Sequence, residues 1–378
     1  MGNSKASPRP ILLIAGTRPE AIKLALLSKE LDLLKIPTLF CTLGQHAELL
    51  DDALRSFQVE PDIVCKIMKP GQDLFHVTSR SLMEAQKVFR KVQPSMVVVQ
   101  GDTTTAMASA LAAFYMKIPI AHVEAGLRTP SIQRPFPEEL NRRMISLVAD
   151  LHFAPTEKAA KRLLKEGVPK DSVFSTGNTV VDALFWVRKQ IELGKIRVNK
   201  DLFDTIVKQK KLQRKLMLLT AHRRESFGEG LVSIFRAMRR ALQEHNDLFI
   251  LFPMHPNPAI REAFEASELS YAANLLHLPP LSYHDLVFAL DSADIVATDS
   301  GGIQEEAASL NKHVMVLRKE TDRPEAHLVL TGTDEEKILR GIRQMMRTKQ
   351  TADRMLPYGD GLASRRISLI IQDLWSSA

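Results

Sequence analysis

The stretch TDSGGIQEEA, residues 298 to 307, places two glycines ahead of two carboxylates. Ser300, Gly301 and Gly302 predict a turn whose backbone N–H groups can close on phosphate oxygens, with a helix dipole behind it. Glu306, one turn further on, would repel a bare phosphate. A nucleoside diphosphate suits both ends: its pyrophosphate takes the glycines, and a carboxylate accepts the ribose hydroxyls, as the acidic residue does in dinucleotide sites. The chemistry indicated is that of a nucleotide attached to something else.

A second group of residues could move protons. Asp102 in GDTTTA and Glu124 in AHVEAGLR each stand at the end of an apolar, strand-like run, and PFPEELNRR adds Glu138, Glu139, Arg142 and Arg143 on a new helix. Neighbouring carboxylates push one another's proton affinities apart, which is how acid and base are obtained from one residue type. Simpler roles stay open: Asp102 as a helix cap, Glu138 and Glu139 as first-turn partners of a helix dipole. Arg18 and Lys23 in GTRPEAIK flank a glycine turn and a proline-started helix, an arrangement suited to phosphate. His222 follows another strand-like run in LLTAHRRESFGEG, and His255 repeats the arrangement in FPMHPNP. A simpler role for His222, as a hydrogen-bonded core histidine, also stays open.

Positioning these residues requires parallel sheets. Short apolar runs at 11–16, 38–44, 95–102, 118–126 and 151–156, then at 216–222, 248–255, 294–302 and 313–321, alternate with segments of helical period such as 73–92, 138–149, 229–245 and 334–347. That alternation predicts an α/β fold of two Rossmann-like, doubly wound domains, with ligands at the carboxyl ends of the strands in an interdomain cleft. The Lys-, Arg- and Gln-rich stretch 188–214 is the weakest core former and is read as the hinge, giving domains at 1–187 and 188–360. Two domains also follow from 378 residues, since single cores stop growing at roughly 250–300.

Composition excludes several classes. No apolar run reaches the roughly 18 residues of a membrane span, so no membrane partner is expected. The net charge of +7 is mild, and the densest basic run, KQKKLQRK at 208–215, has no interleaved aromatics; it is read as a solvated linker, and no nucleic-acid partner is expected. Cys41 and Cys65 are too few for a disulfide framework or thiolate metal site and fit a reducing, cytoplasmic setting. The first ten residues lack the apolar core of a signal peptide and are read as a frayed tail. GEGLVS and GDGLAS lack the third glycine of a dinucleotide fingerprint, no Walker sequence occurs, and no cluster has metal-ligand spacing. Neither a cofactor nor a metal is expected.

Taken together, GTRPEAIK, GQH, VQGDTTT, HVEAGLRT, PFPEELNRR, STGNTVVDAL, TAHRRES, TDSGGIQEEA, RPEA and PYGDG resemble, in matching order, the non-hydrolysing UDP-N-acetylglucosamine 2-epimerases. The resemblance implies a glycosyltransferase-B-like architecture with a deep cleft, and a C-terminal helix within 361–378 that packs back on the first domain. It implies interconversion of UDP-N-acetylglucosamine and UDP-N-acetylmannosamine. Residue by residue, Asp102, Glu124, Glu138 and His222 match catalytic positions, and Arg18, Lys23, Arg142, Ser300, Gly301, Gly302 and Glu306 match substrate contacts. Gln45, Gln72, Arg223 and His255 match positions through which a second UDP-sugar activates many bacterial relatives, and such relatives are commonly homodimers. Gly71 stands where some of them place an arginine.

The implied chemistry needs no cofactor. The C2 proton of the sugar is not adjacent to a carbonyl carbon, so simple deprotonation would be prohibitively slow. Eliminating UDP as that proton leaves gives 2-acetamidoglucal, and re-addition with protonation on the other face inverts C2, which requires two differently placed acid–base groups. A glycosyltransferase, or a nucleotide-sugar sensor without turnover, would use the same nucleotide site.

Overall fold

The structure, a computed structural model, describes residues 9–44, 47–67, 69, 71–321, 323, 328–348 and 356–376. Gln45, residues 1–8 of the expected tail and residues 324–326 of the RPEA stretch lie outside the described residues. The chain divides into two compact units, one formed by the residues up to Phe185 together with those from Tyr358, the other by Trp186–Pro357.

The first unit alternates strands and helices: β1 (Ile11–Ala15), α1 (Arg18–Leu33), β2 (Thr38–Gly44), α2 (Ala47–Ser56), β3 (Ile63–Lys66) and α3 (Leu74–Val92). It continues with β4 (Met96–Gln100), α4 (Thr104–Tyr115), β5 (Ile120–Val123), α5 (Glu138–Val148), β6 (Leu151–Ala154), α6 (Glu157–Lys165), β7 (Val173–Ser175) and the start of α7 (Thr179–Glu192), whose residues from Trp186 count with the second unit. The seven strands are parallel, in the order β3-β2-β1-β4-β5-β6-β7. β1, β4, β5 and β6 are buried at every position, as expected where helices cover both faces of a parallel sheet.

The second unit contains α8 (Lys200–Lys211), β8 (Lys215–Thr220), α9 (Glu229–Glu244), β9 (Leu248–Pro253), α10 (Pro258–Ala266), β10 (Leu275–Leu278) and α11 (Tyr283–Ser292). Then follow β11 (Ile295–Thr298), α12 (Gly301–Ser309), β12 (His313–Val316), β13 (Leu328–Leu330) and α13 (Glu335–Arg347). Its six parallel strands run β10-β9-β8-β11-β12-β13. Phe235, Phe252 and Phe264 meet pairwise at 5.3–5.7 Å in its core, each contact worth about 0.5–1.5 kcal/mol beyond area burial. The last helix, α14 (Ala363–Ser376), belongs to the first unit and packs on α1. Asp182 of α7 holds its start, accepting from the N–H groups of Ala363 at 3.2 Å and Ser364 at 2.6 Å.

The basic stretch at 208–215 is not a linker. Its first residues close α8, and Lys215 opens β8. Leu202, Ile206 and Gln209, spaced four and three apart, form a buried face of α8, while Phe203 stacks on Phe288 at 5.6 Å. Lys208, Lys210 and Lys211 fall in the last turn, where cations complement the helix dipole. Among the described residues no helix is long and apolar enough to cross a membrane, and Cys41 and Cys65 are free.

Candidate active site

Each sheet reverses its winding at one point, β1 beside β4 in the first unit and β8 beside β11 in the second. The loops leaving those strands are where doubly wound sheets hold ligands, and Arg18, Asp102, His222 and Ser300 follow β1, β4, β8 and β11 in turn.

In the first unit, Glu124 follows β5 with a left-handed backbone, φ 68°, a conformation that a non-glycine residue keeps at functional sites when its surroundings enforce it. Its carboxylate is gripped on both oxygens. Lys23 Nζ donates to Oε2 at 2.5 Å, Gln100 Nε2 donates to the same oxygen, and Asn178 Nδ2 donates to Oε1 at 3.4 Å. All four side chains are buried. Lys23, expected beside a phosphate, therefore reaches Glu124 one turn along the buried side of α1.

Asp102 follows β4 after Gly101, itself at φ 73°. Its Oδ2 receives Arg142 Nη2 at 2.6 Å and Nε at 2.8 Å, while Asn141 Nδ2 donates to its backbone carbonyl at 2.9 Å. Helix α4 is capped instead by Thr103, whose Oγ1 accepts from Ala106 N at 3.1 Å, so the Asp102 side chain is not a cap. His122 Nε2 lies 2.8 Å from Gly101 O. Burial pushes this imidazole down to about 3, so the neutral ring donates to the carbonyl and braces the turn that carries Asp102.

Glu138 and Glu139 differ sharply although adjacent. Glu139 is fully buried and accepts from Thr129 N at 3.0 Å, Arg143 Nε at 2.9 Å and Arg142 Nη1 at 3.4 Å. Glu138 is half-buried, and its Oε2 is a buried oxygen without a hydrogen-bond partner among the described residues. Arg142 thus pairs with Asp102 and Glu139, while Glu138, one residue earlier on the helix, lies on a different face.

In the second unit the organising residue is Asp299, fully buried at the end of β11. Its Oδ2 accepts from the backbone N–H of His222 and of Arg223, each at 2.7 Å, and its Oδ1 lies 3.2 Å from His222 Nδ1. The imidazole stacks on His255 at 6.0 Å. Burial lowers the His222 proton affinity; Asp299 opposes that shift, while Arg223 and His255 add to it. Ser300, extended at φ −87° and ψ 128°, is the N-cap of α12, so Gly301 and Gly302 form the first helical turn rather than a separate turn before it. Glu306 is buried and accepts from Tyr283 Oη at 2.9 Å. Next to it, Glu305 pairs with Arg323, and Gln304 Oε1 accepts from Thr321 Oγ1 at 2.7 Å, tying the segment before the RPEA stretch to α12.

Arg18 starts α1 after the Gly16–Thr17 turn. Gln72 is placed near the start of α3, where its Oε1 accepts from Lys69 N at 2.9 Å, and His255 Nδ1 accepts from Asn257 N at 3.2 Å. Sequence reasoning passed over Gln100, Asn178, Tyr283 and Asp299. Two signals were present: a glutamine closing the apolar run MVVVQ, and an aspartate directly before Ser300. Among the described residues no group of three His, Cys, Asp or Glu side chains could hold a metal ion.

A family model described as UDP-N-acetylglucosamine 2-epimerase matches residues 31–372. The UDP-N-acetylglucosamine 2-epimerase of Bacillus subtilis strain 168 is 43% identical over 367 residues, covering 94% of this chain and 93% of its own. That of Escherichia coli strain K12 is 41% identical over 373 residues, covering 94% and 96%. The crystal structure of UDP-GlcNAc 2-epimerase from Neisseria meningitidis bound to UDP-GlcNAc is similar with a TM-score of 0.89 at 37% identity, covering 96% of this chain and 100% of that one.

Proposed function

The chain belongs to the UDP-N-acetylglucosamine 2-epimerase family, and from that premise we propose that it interconverts UDP-N-acetylglucosamine and UDP-N-acetylmannosamine without hydrolysis, by eliminating and re-adding UDP. The supporting observation is the contrast between two carboxylates of the first unit. Glu124 is held by Lys23, Gln100 and Asn178, while Glu138 keeps a buried oxygen without a hydrogen-bond partner among the described residues. Three donors fix the position of the Glu124 carboxylate, as a group that must meet one face of C2 requires.

In this reading Glu124 takes the C2 proton. The C–H electron pair becomes the C1–C2 double bond of 2-acetamidoglucal, and the C1–O bond breaks with its electrons leaving on UDP. Glu138 delivers a proton to the opposite face of C2 as UDP returns to C1, and the roles exchange in the reverse direction. Asp102, neutralised by Arg142, tunes or relays between them. Arg18, His222 and the N–H groups of Ser300, Gly301 and Gly302 stabilise the charge that develops on UDP. Glu306, set by Tyr283, accepts from the ribose hydroxyls.

The same reading has the enzyme working in the cytoplasm as a homodimer, with a second UDP-sugar as activator at Gln72, Arg223 and His255. Supplying the enzyme with synthetic 2-acetamidoglucal and UDP, followed by phosphorus NMR, tests the chemistry. Both UDP-sugars should form. An enzyme that turns over UDP-N-acetylglucosamine yet makes neither product from the glycal contradicts the elimination route.

A further inference from the structure

Glu20 has no part in the chemistry above, yet it is a carboxylate only 2% exposed, in the first turn of α1. Its Oε2 accepts from Gly16 N at 3.0 Å and Thr17 Oγ1 at 2.7 Å, and its Oε1 accepts from Thr103 Oγ1 at 2.7 Å. These donors lie on two different segments: the turn after β1 that leads into Arg18, and the turn after β4 that contains Asp102. The two strands are neighbours in the sheet.

Thr17 and Glu20 have the spacing of a capping box, in which the threonine oxygen accepts from a helix N–H and the glutamate reaches back to the cap. Here Thr17 makes no side-chain cap bond; its hydroxyl donates to Glu20 instead. Glu20 then reaches beyond its own helix to Thr103, the cap of α4. Packing is tight at the same junction, for a Cβ on Gly16 would stand 2.5 Å from Thr105 Cβ.

Burial pushes the Glu20 carboxyl up to about 7, and no ion pair to it occurs among the described residues. A leucine would fill the space without that cost, so what this position supplies is a pair of acceptors joining two turns. Resting on the proposed reaction, we infer that Glu20 is a positioning residue that clamps the β1 and β4 turns together and so fixes Arg18 relative to Asp102.

Steady-state kinetics with UDP-N-acetylglucosamine on the full chain, for wild type, E20A, E20Q, T103V and T103S, tests the clamp, with thermal melts to verify folding. Misplacement by about 1 Å costs on the order of 10²-fold in rate, so folded E20A should lose kcat by about that factor with KM within roughly threefold. E20Q should recover to within about fivefold, because the amide keeps an acceptor towards Gly16 and a donor that Thr103 Oγ1 can accept. T103V should lose about tenfold in kcat and T103S should restore it, which carries the test if E20A fails to fold.

Unchanged kcat in folded E20A, a loss in E20Q equal to that in E20A, or a rise in KM alone would each overturn the inference. If wild type converts the UDP-sugar and E20A matches it, the clamp alone fails. If wild type shows no conversion, the reaction fails and the clamp with it.

Discussion

The two units place their chemistry at the same topological position and fill it differently. Beside β1 and β4, carboxylates dominate, and cations are turned inward to them: Lys23 on Glu124, Arg142 on Asp102 and Glu139. Beside β8 and β11, a buried aspartate accepts from the backbone N–H groups of His222 and Arg223, and a helix begins with two glycines. One arrangement suits moving a proton; the other suits receiving an anion. Doubly wound topology therefore locates a site and leaves its chemistry to the few residues after each strand.

That contrast predicts a kinetic separation. The largest effect should come from Glu124→Gln, which keeps the shape of the gripped group and removes its proton affinity: kcat should fall by about 10³-fold, with UDP affinity by calorimetry unchanged. A comparable loss of UDP binding would erase the distinction between the two units.

Next in size is a pH effect on stability confined to the first unit. The folded value of Glu20, about 7, lies above its ordinary 4.5. Its contribution is therefore fully present below the ordinary value and is lost as pH rises through the folded value, because ionisation costs more in the buried site than in the unfolded chain. Gln removes that dependence. The stability of E20Q relative to wild type should rise between about pH 5 and pH 8, by at most about 3 kcal/mol; a constant offset in the melts would contradict burial of this carboxylate without an ion pair among the described residues.

The glycines give the smaller and more discriminating pair. Gly16→Ala drives a methyl into Thr105 and should cost about 1–3 kcal/mol in stability. Gly302→Ala meets nothing within 4 Å and sits in a helix, where alanine is the better former. Its melting temperature should hold or rise, while KM for the UDP-sugar increases about tenfold, or 1.4 kcal/mol, because the methyl occupies the pyrophosphate's approach. An unchanged KM would remove Gly302 from the ligand's path.

Much of the fold was legible in the sequence because fully buried parallel strands read as continuous apolar runs. Strands β3, β7, β10 and β13 were not legible. They are the edges of the two sheets, three or four residues long and partly exposed, so each apolar run is too short to stand out as a strand. The α8 face was hidden by the lysines on its other sides. Within the candidate site, the strand-end placement of Asp102, Glu124 and His222 was legible in the sequence. What position could not show was pairing across the sheet: that Lys23 and Gln100 both end on Glu124, that Asp299 holds His222, and that Glu139 is the buried member of its pair. The contacts of Glu124 and of His222 join residues far apart in the chain, and only the strand order brings them together.

The central claim is proton exchange at C2 with the UDP-sugar recovered intact. Proton and phosphorus NMR of the enzyme with UDP-N-acetylglucosamine in D2O, without added cofactor, measures it directly. Deuterium at C2 in both UDP-N-acetylglucosamine and UDP-N-acetylmannosamine is the expected result. Free N-acetylmannosamine with UDP, or UDP-N-acetylmannosamine that retains its C2 proton, would contradict it.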